Sequence, residues 1–155
     1  MPRKLTVSAA FVIMLASTTA CTTYTSDGFF GGFSETPLAK NTYQIRGSGN
    51  KYASASLVRN IALVRAAELT LNNDFYSFII LDQDDWEKTS IGTIPSTYYS
   101  QPIITQSSKP ITELVVRMFK AGEAGSENGL DPMEIIRTVG PKVKYEGRYL
   151  PTSGE

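Results

Sequence analysis

An α+β domain is predicted, with one long helix packed on a mostly antiparallel sheet of about four strands and a short helix near the C-terminus. Three observations predict it. A stretch without Gly or Pro and rich in Ala and Leu runs from Tyr52 to Leu71, long enough for a helix of about five turns. Alternating apolar and polar residues lie on both sides of it, at Asn41 to Arg46 and at Ile111 to Phe119, the period of a strand covered on one face. Asp131, Pro132 and Glu134 then stand at the N-cap, N1 and N3 positions of a second, shorter helix, where they satisfy orphan amides and place anions at the positive end.

The elements follow in order. From Cys21 to Thr36 the chain is Thr, Ser, Gly and aromatic, with Gly28, Gly31 and Gly32 interleaving Phe29, Phe30 and Phe33. This composition reads as a flexible tether, whose phenylalanines either cap the domain or rest on a membrane surface. In the first strand Tyr43 and Ile45 share one side and Gln44 and Arg46 the other, and Gly47, Gly49 and Asn50 break it. Asn72 and Asn73 are suited to end the long helix in the left-handed region. Phe75 to Leu81 is apolar on both faces, the pattern of a central strand. Asp82 to Pro110 is polar and β-prone, and Pro95, Pro102 and Pro110 prevent a helix, so a long loop or irregular hairpin carrying Tyr98, Tyr99, Ile103 and Ile104 is expected. In the next strand Leu114, Val116 and Met118 point inward, with Glu113, Val115 and Arg117 opposite. Gly140 and Pro141 stop the short helix after Val139, and Val143 to Tyr149 suits a last short strand. There is no internal repeat or heptad.

Composition bounds the function. The 155 residues carry 15 basic and 15 acidic side chains, 41% hydrophobic and 19% charged residues, which fits one folded domain and excludes nucleic-acid binding by bulk positive charge. No histidine is present, which excludes every mechanism built on an imidazole. The single cysteine excludes an intramolecular disulfide. Arg3 and Lys4, an apolar run from Leu5 to Ala16, and small residues from Ser17 to Ala20 have the layout of an export signal, and the apolar run is too short for a permanent membrane span. Thr18, Thr19 and Ala20 before Cys21 resemble a bacterial lipobox, with Thr18 where leucine is usual. The alternatives are an ordinary signal cut after Ala20 or a free thiol, the latter a liability in an oxidising compartment. Acylation of Cys21 removes that liability, since each buried methylene contributes about 0.8 kcal/mol to membrane binding. Thr22, in place of the aspartate that tends to retain Gram-negative lipoproteins in the inner membrane, favours the outer membrane and its periplasmic face. Loss of Arg3 and Lys4 leaves a net charge of −2, which excludes a polybasic second anchor. The expected organisation is a leader over 1–20, a tether over 21–37 and a single domain over 38–150.

Gly32-Phe33-Ser34-Glu35, Asn41-Thr42-Tyr43, Gly49-Asn50 and above all Arg65-Ala66-Ala67-Glu68-Leu69-Thr70, with the later Val116-Arg117-Met118-Phe119 and Gly140-Pro141, resemble a family of small uncharacterised lipoproteins of Gram-negative bacteria. The similarity runs from about Gly28 to about Tyr145. It implies export and lipid anchoring, and brings no substrate, cofactor or catalytic residue.

The candidate chemistry is sparse. With Leu57 at zero and about 100° per residue, Glu68 falls near 20° and Arg65 near 80°, inside the apolar arc of Val64, Ile61, Val58 and Leu69. Three apart, they are neighbours on the helix surface. A structural ion pair is the favoured assignment, because an isolated buried charge is costly; a polar functional site under the helix is the alternative, and a lone carboxylate makes no recognisable catalyst. Asp82, Asp84, Asp85 and Glu87 lack the glycine and ligand alternation of an EF-hand, so a solvated acidic turn is preferred to calcium binding, and no metal or cofactor is expected. Gly47-Ser48-Gly49 superficially resembles a phosphate-binding loop but has no Walker lysine and the wrong spacing, so it reads as a turn. Trp86, Tyr98 and Tyr99 are the candidate interaction surface. The expected function is a non-enzymatic envelope lipoprotein that is held in membrane lipid through Cys21 and binds an envelope protein or glycan, with no nucleic-acid partner. The rivals are a periplasmic hydrolase or ligand-binding enzyme, and a subunit of a secretion or surface assembly.

Overall fold

The computed structural model describes residues 24–26, 28, 31–94 and 103–149. Cys21, Phe29, Phe30, Tyr98 and Tyr99 lie outside the described residues. Strands β1 (Gly32–Ala39), β2 (Thr42–Ser48), β3 (Ser77–Ile94) and β4 (Ile103–Phe119) form one antiparallel sheet in the order β1-β2-β4-β3. Helix α1 (Ala55–Asn72) connects β2 to β3, and the short α2 (Pro132–Val139) follows β4. This is the α+β architecture expected from the sequence.

Helix and sheet meet along the alternation in β4. Leu114, Val116 and Met118 are fully buried, together with Ile45 of β2 and Phe78 of β3, against Ile61, Ala62, Val64 and Ala66 of α1. Gly47 sets how near the two layers come: a Cβ there would lie 2.6 Å from the Val58 carbonyl oxygen, so the backbone of α1 rests almost on that of β2. The helix starts at Ala55, three residues beyond the expected start at Tyr52, and is capped by Ser54, whose hydroxyl accepts from the Leu57 amide at 3.1 Å. Its other end is closed by Lys120, whose ammonium donates to the carbonyls of Asn73 and Asp74 at 3.1 and 2.6 Å, a cation at the negative end of the dipole. The left-handed residue is Asp74, with φ 56, rather than Asn72 or Asn73.

Four further expectations are corrected. Residues 32–37, assigned to the tether, form most of β1 and pair with β2 from Gly32↔Ser48 onward; Phe33 packs on the core, and this burial holds a segment whose composition reads as flexible. The strand expected over Phe75 to Leu81 lies at the sheet edge, because β4 returns between it and β2, leaving Tyr76 61% and Leu81 53% exposed. Near the start of β3 the free edge is closed by Leu130, which exchanges backbone hydrogen bonds with Phe78 at 3.2 and 2.7 Å. The polar stretch after Asp82 is regular: β3 and β4 pair from Ser77↔Phe119 to Ile94↔Ile103. Finally, Val143 to Tyr149 is not a strand. Gly140 keeps right-handed φ and ψ and leads into a 3-10 turn to Val143, which brings Val143 and Tyr145 into the core. Asp131 caps α2 as expected, accepting from the amides of Met133 and Glu134.

Candidate functional site

Arg65 and Glu68 meet at 2.6 Å, with side chains 16% and 15% exposed. The pair expected from the helical wheel is therefore present, and it belongs to a larger cluster. Glu35 of β1 grips the same guanidinium with both oxygens, at 3.1 Å to Nε and 2.6 Å to Nη2, the bidentate geometry that suits a planar fork. Glu68 accepts from two phenols: Tyr24, to Oε2, and Tyr145, at 3.3 Å to Oε1. Phe33 lies under the guanidinium, 4.6 Å from ring centroid to Cζ, and Tyr24 packs between Phe33 and Tyr145 at 4.7 and 5.0 Å.

The electrostatics are those of a closed network. Burial raises the pKa of the Tyr24 phenol, and its hydrogen bond to the Glu68 carboxylate raises it further. Tyr145 is pushed up to about 12, first by burial and then by the charge of Glu68. Burial works against the charged form of Arg65, but hydrogen bonds to Glu35, Glu68 and Tyr24 outweigh it and hold its pKa above the ordinary value. Two carboxylates face one guanidinium, and two protonated phenols spread the second negative charge. Each polar group is thus turned toward another, and the cluster resembles a clasp more than an open cleft. Glu35, Tyr24, Phe33 and Tyr145 were missed in the sequence because 21–37 was read as tether and Tyr145 as part of a strand. The alternation of Phe33 and Glu35 was the available signal.

The acidic run lies within β3 and is not a turn. Asp84 stands opposite Glu113 and Asp85 opposite Thr112, so Asp82 and Asp84 share one face of the strand and Asp85 and Glu87 the other, and the four carboxylates do not gather at one point. Asp85 accepts from Thr112 Oγ1 at 2.6 Å and pairs with Arg59 of α1 at 2.6 Å. The Thr112 hydroxyl, and after it Arg59, hold its pKa down to about 2. Among the described residues, no group of three or more His, Cys, Asp or Glu is arranged to hold a metal ion.

Trp86 is 36% exposed, and the Arg46 guanidinium lies 5.7 Å from its ring centroid. Beyond it β3 and β4 leave the body of the sheet. The pairing of β2 with β4 stops at Ser48↔Ile111, followed by a last hydrogen bond from the Gly49 amide to the Pro110 carbonyl at 2.9 Å, and from there to Ile94↔Ile103 the two strands pair with each other and, among the described residues, with no third strand. At about 3.4 Å per residue this ribbon extends roughly 24 Å. Ile91 and Ile104 are 74% and 72% exposed on it, two pairs apart in register and therefore on the same face. Among the described residues no helix is long and apolar enough to cross a membrane. Comparison of the chain with family models, with curated proteins and with solved structures gives no match.

Proposed function

We propose that this protein is a lipid-anchored envelope protein with a binding role, held in the outer membrane through acylated Cys21 and docking an envelope partner on the β3–β4 ribbon. The observation that carries the binding role is the ribbon itself. A two-stranded hairpin without a covering layer is marginal in water, yet this one presents two isoleucines on one face, and among the described residues no third strand pairs with it beyond Ser48↔Ile111. Such edges offer backbone hydrogen bonds to an added strand, and alternate side chains supply the selectivity. A protein partner therefore fits better than a glycan. The closed state of the Arg65–Glu68 cluster supports the non-enzymatic reading, because its polar groups are engaged with one another. The lipobox-like residues before Cys21 and the export-signal layout support the anchor.

One experiment in cells tests both parts. A photocrosslinking residue at Ile91 or Ile104 is expected to trap a discrete envelope protein, while the same residue at Arg137 on α2 traps none. In the same cells labelled palmitate is expected in the wild type and absent from Cys21→Ser. Equal crosslinking from the ribbon and from α2 would reject the docking arm, and equal labelling of both chains would reject the anchor.

A further inference from the structure

We propose that the outer edge of β3 along the ribbon is a self-pairing surface, on which a second copy of this chain adds its own β3 antiparallel about a two-fold axis at Ile91. This rests on the reading of the ribbon as a docking arm and names its occupant. β3 is the last strand of the sheet, and among the described residues only Leu130 makes backbone bonds on its outer side, at Phe78. The direction of its other backbone groups follows from its neighbours. The Pro110 carbonyl accepts from the Gly49 amide at 2.9 Å and so points toward β2 and away from β3. Glu87 stands opposite Pro110, and in an antiparallel ladder the groups alternate residue by residue, so Glu87, Thr89, Ile91 and Thr93 turn their amides and carbonyls outward. Native sheets blunt such an edge with charge or proline. From Thr89 to Ile94 the strand has neither.

The charge pattern favours a second copy as the occupant. Outward-facing residues must meet outward-facing residues, so a two-fold pairing of β3 with itself is centred on a residue and not between two. Every register centred from Asp82 to Lys88 sets like charges opposite each other: each charged residue meets itself at its own centre, Asp82 meets Asp84 about Gln83, and Asp85 meets Glu87 about Trp86. Such oppositions destabilise a sheet. Registers centred beyond Lys88 have none, so the acidic half of β3 excludes its own copy and the uncharged half admits it. About Ile91, Thr89 and Thr93 exchange backbone bonds with Thr93 and Thr89 of the second copy. Ile91 lies directly opposite its counterpart, which gives an apolar pair at a residue that is 74% exposed in the single chain. The two bodies then lie at opposite ends of a four-stranded ribbon. The edge of β4 suits a second copy less well, because it ends at Pro110, which has no amide hydrogen and whose carbonyl already serves Gly49. A ladder this short suffices for two chains anchored in one membrane, where their effective concentration is raised.

The full chain carrying Ile91→Cys tests this in cells. Mild oxidation of the intact envelope is expected to give a disulfide-linked dimer, identified by mass spectrometry as two joined copies of the peptide that holds the new cysteine, since directly opposed strand residues lie within disulfide reach. Arg137→Cys, on α2, is expected to give none. Two differently tagged copies of the chain are then co-purified from detergent-solubilised envelopes. Ile91→Lys in both copies is expected to reduce recovery of the second tag about fivefold or more, and Ile91→Glu in both likewise. One copy with Ile91→Lys and the other with Ile91→Glu are expected to recover each other, because opposite charges then meet at the axis. Far-UV circular dichroism checks that each variant is folded. Equal disulfide yield from Ile91→Cys and Arg137→Cys, recovery by Ile91→Lys equal to wild type, or no rescue in the mixed pair would overturn the proposal. A photocrosslink from Ile91 to a different envelope protein, without the disulfide dimer, would overturn the second copy and leave the docking arm standing, whereas no adduct of any kind would overturn both.

Discussion

At the scale of single residues, the unequal burial of the two carboxylates around Arg65 decides what each contributes. Glu68 has a 15% exposed side chain and serves Arg65, Tyr24 and Tyr145, whereas Glu35 has a 30% exposed side chain and serves Arg65 alone. Removing Glu68 leaves Arg65 with a partner but deprives two phenols, the buried Tyr145 and the half-buried Tyr24, of their acceptor. Each orphaned buried donor costs about 1–3 kcal/mol, so Glu68→Ala is expected to destabilise by about 2–3 kcal/mol. Glu35→Ala is expected to cost about 1 kcal/mol or less, as for a partly exposed ion pair. Urea unfolding of both variants checks the order, and equal losses would mean that the phenols contribute nothing. The position of Glu68 beside Arg65 inside the apolar arc was legible from helical spacing alone. The partners Tyr24, Glu35 and Tyr145 were not, because they reach the helix from 44, 30 and 77 residues away and local periodicity carries no information at that range.

At the scale of elements, the contact between α1 and β2 depends on an atom that is absent. Gly47 reads in sequence as a strand breaker, yet it lies inside β2 opposite Thr112. Its role is close approach: a methyl group there meets the Val58 carbonyl and, at 3.2 Å, the Val58 side chain. Backbone cannot yield as a flexible side chain can, so Gly47→Ala is expected to cost about 2 kcal/mol or more, as overpacking of a tight interface does. Gly122→Ala is a suitable comparison, since Gly122 has positive φ but nothing within 4 Å of the added atom and only local strain to bear. Thermal unfolding of the two variants is expected to separate them, with Gly47→Ala the lower. A larger loss at Gly122 would show that conformation, and not proximity, governs these glycines. The strand expected at the centre of the sheet was misplaced for a related reason. An apolar pattern on both faces of Phe75 to Leu81 does not by itself place a strand at the centre: α1 covers Phe78 on one face, Leu130 closes part of the edge, and Tyr76 and Leu81 stay exposed.

At the scale of the whole molecule, the clasp ties three distant parts of the chain together: residues ahead of β1 through Tyr24, helix α1 through Glu68, and the segment after α2 through Tyr145. The Tyr24 amide donates to the Val143 carbonyl at 3.3 Å and the Thr25 carbonyl accepts from Phe33 at 2.8 Å, so the same contacts fasten both ends of the domain. This fastening depends on protonated phenols. The folded pKa of each is raised above the ordinary value of 10.0, Tyr145 to about 12. The folded state therefore binds more protons than the unfolded one above pH 10, and their contribution is complete below pH 10 and lost as the pH rises through 12. Urea unfolding between pH 8 and about 11.5 is expected to show stability falling more steeply in wild type than in a Tyr24→Phe, Tyr145→Phe double variant. Parallel slopes would show that the phenols titrate as if exposed.

Sequence by itself determined the α+β class, the long helix, the inward residues of β2 and β4, the capped start of α2 and the adjacency of Arg65 and Glu68. Each depends on the period of a helix or strand, or on a side chain reaching its own backbone, and such signals are complete within a few residues. Tertiary structure alone decided that residues 32–37 form an edge strand, that β4 and not β3 is central, and that the polar stretch after Asp82 extends as a ribbon. Those outcomes depend on which strands pair and in what register. Pairing brings together residues tens of positions apart, and a local pattern of apolar and polar residues is compatible with more than one arrangement of that kind.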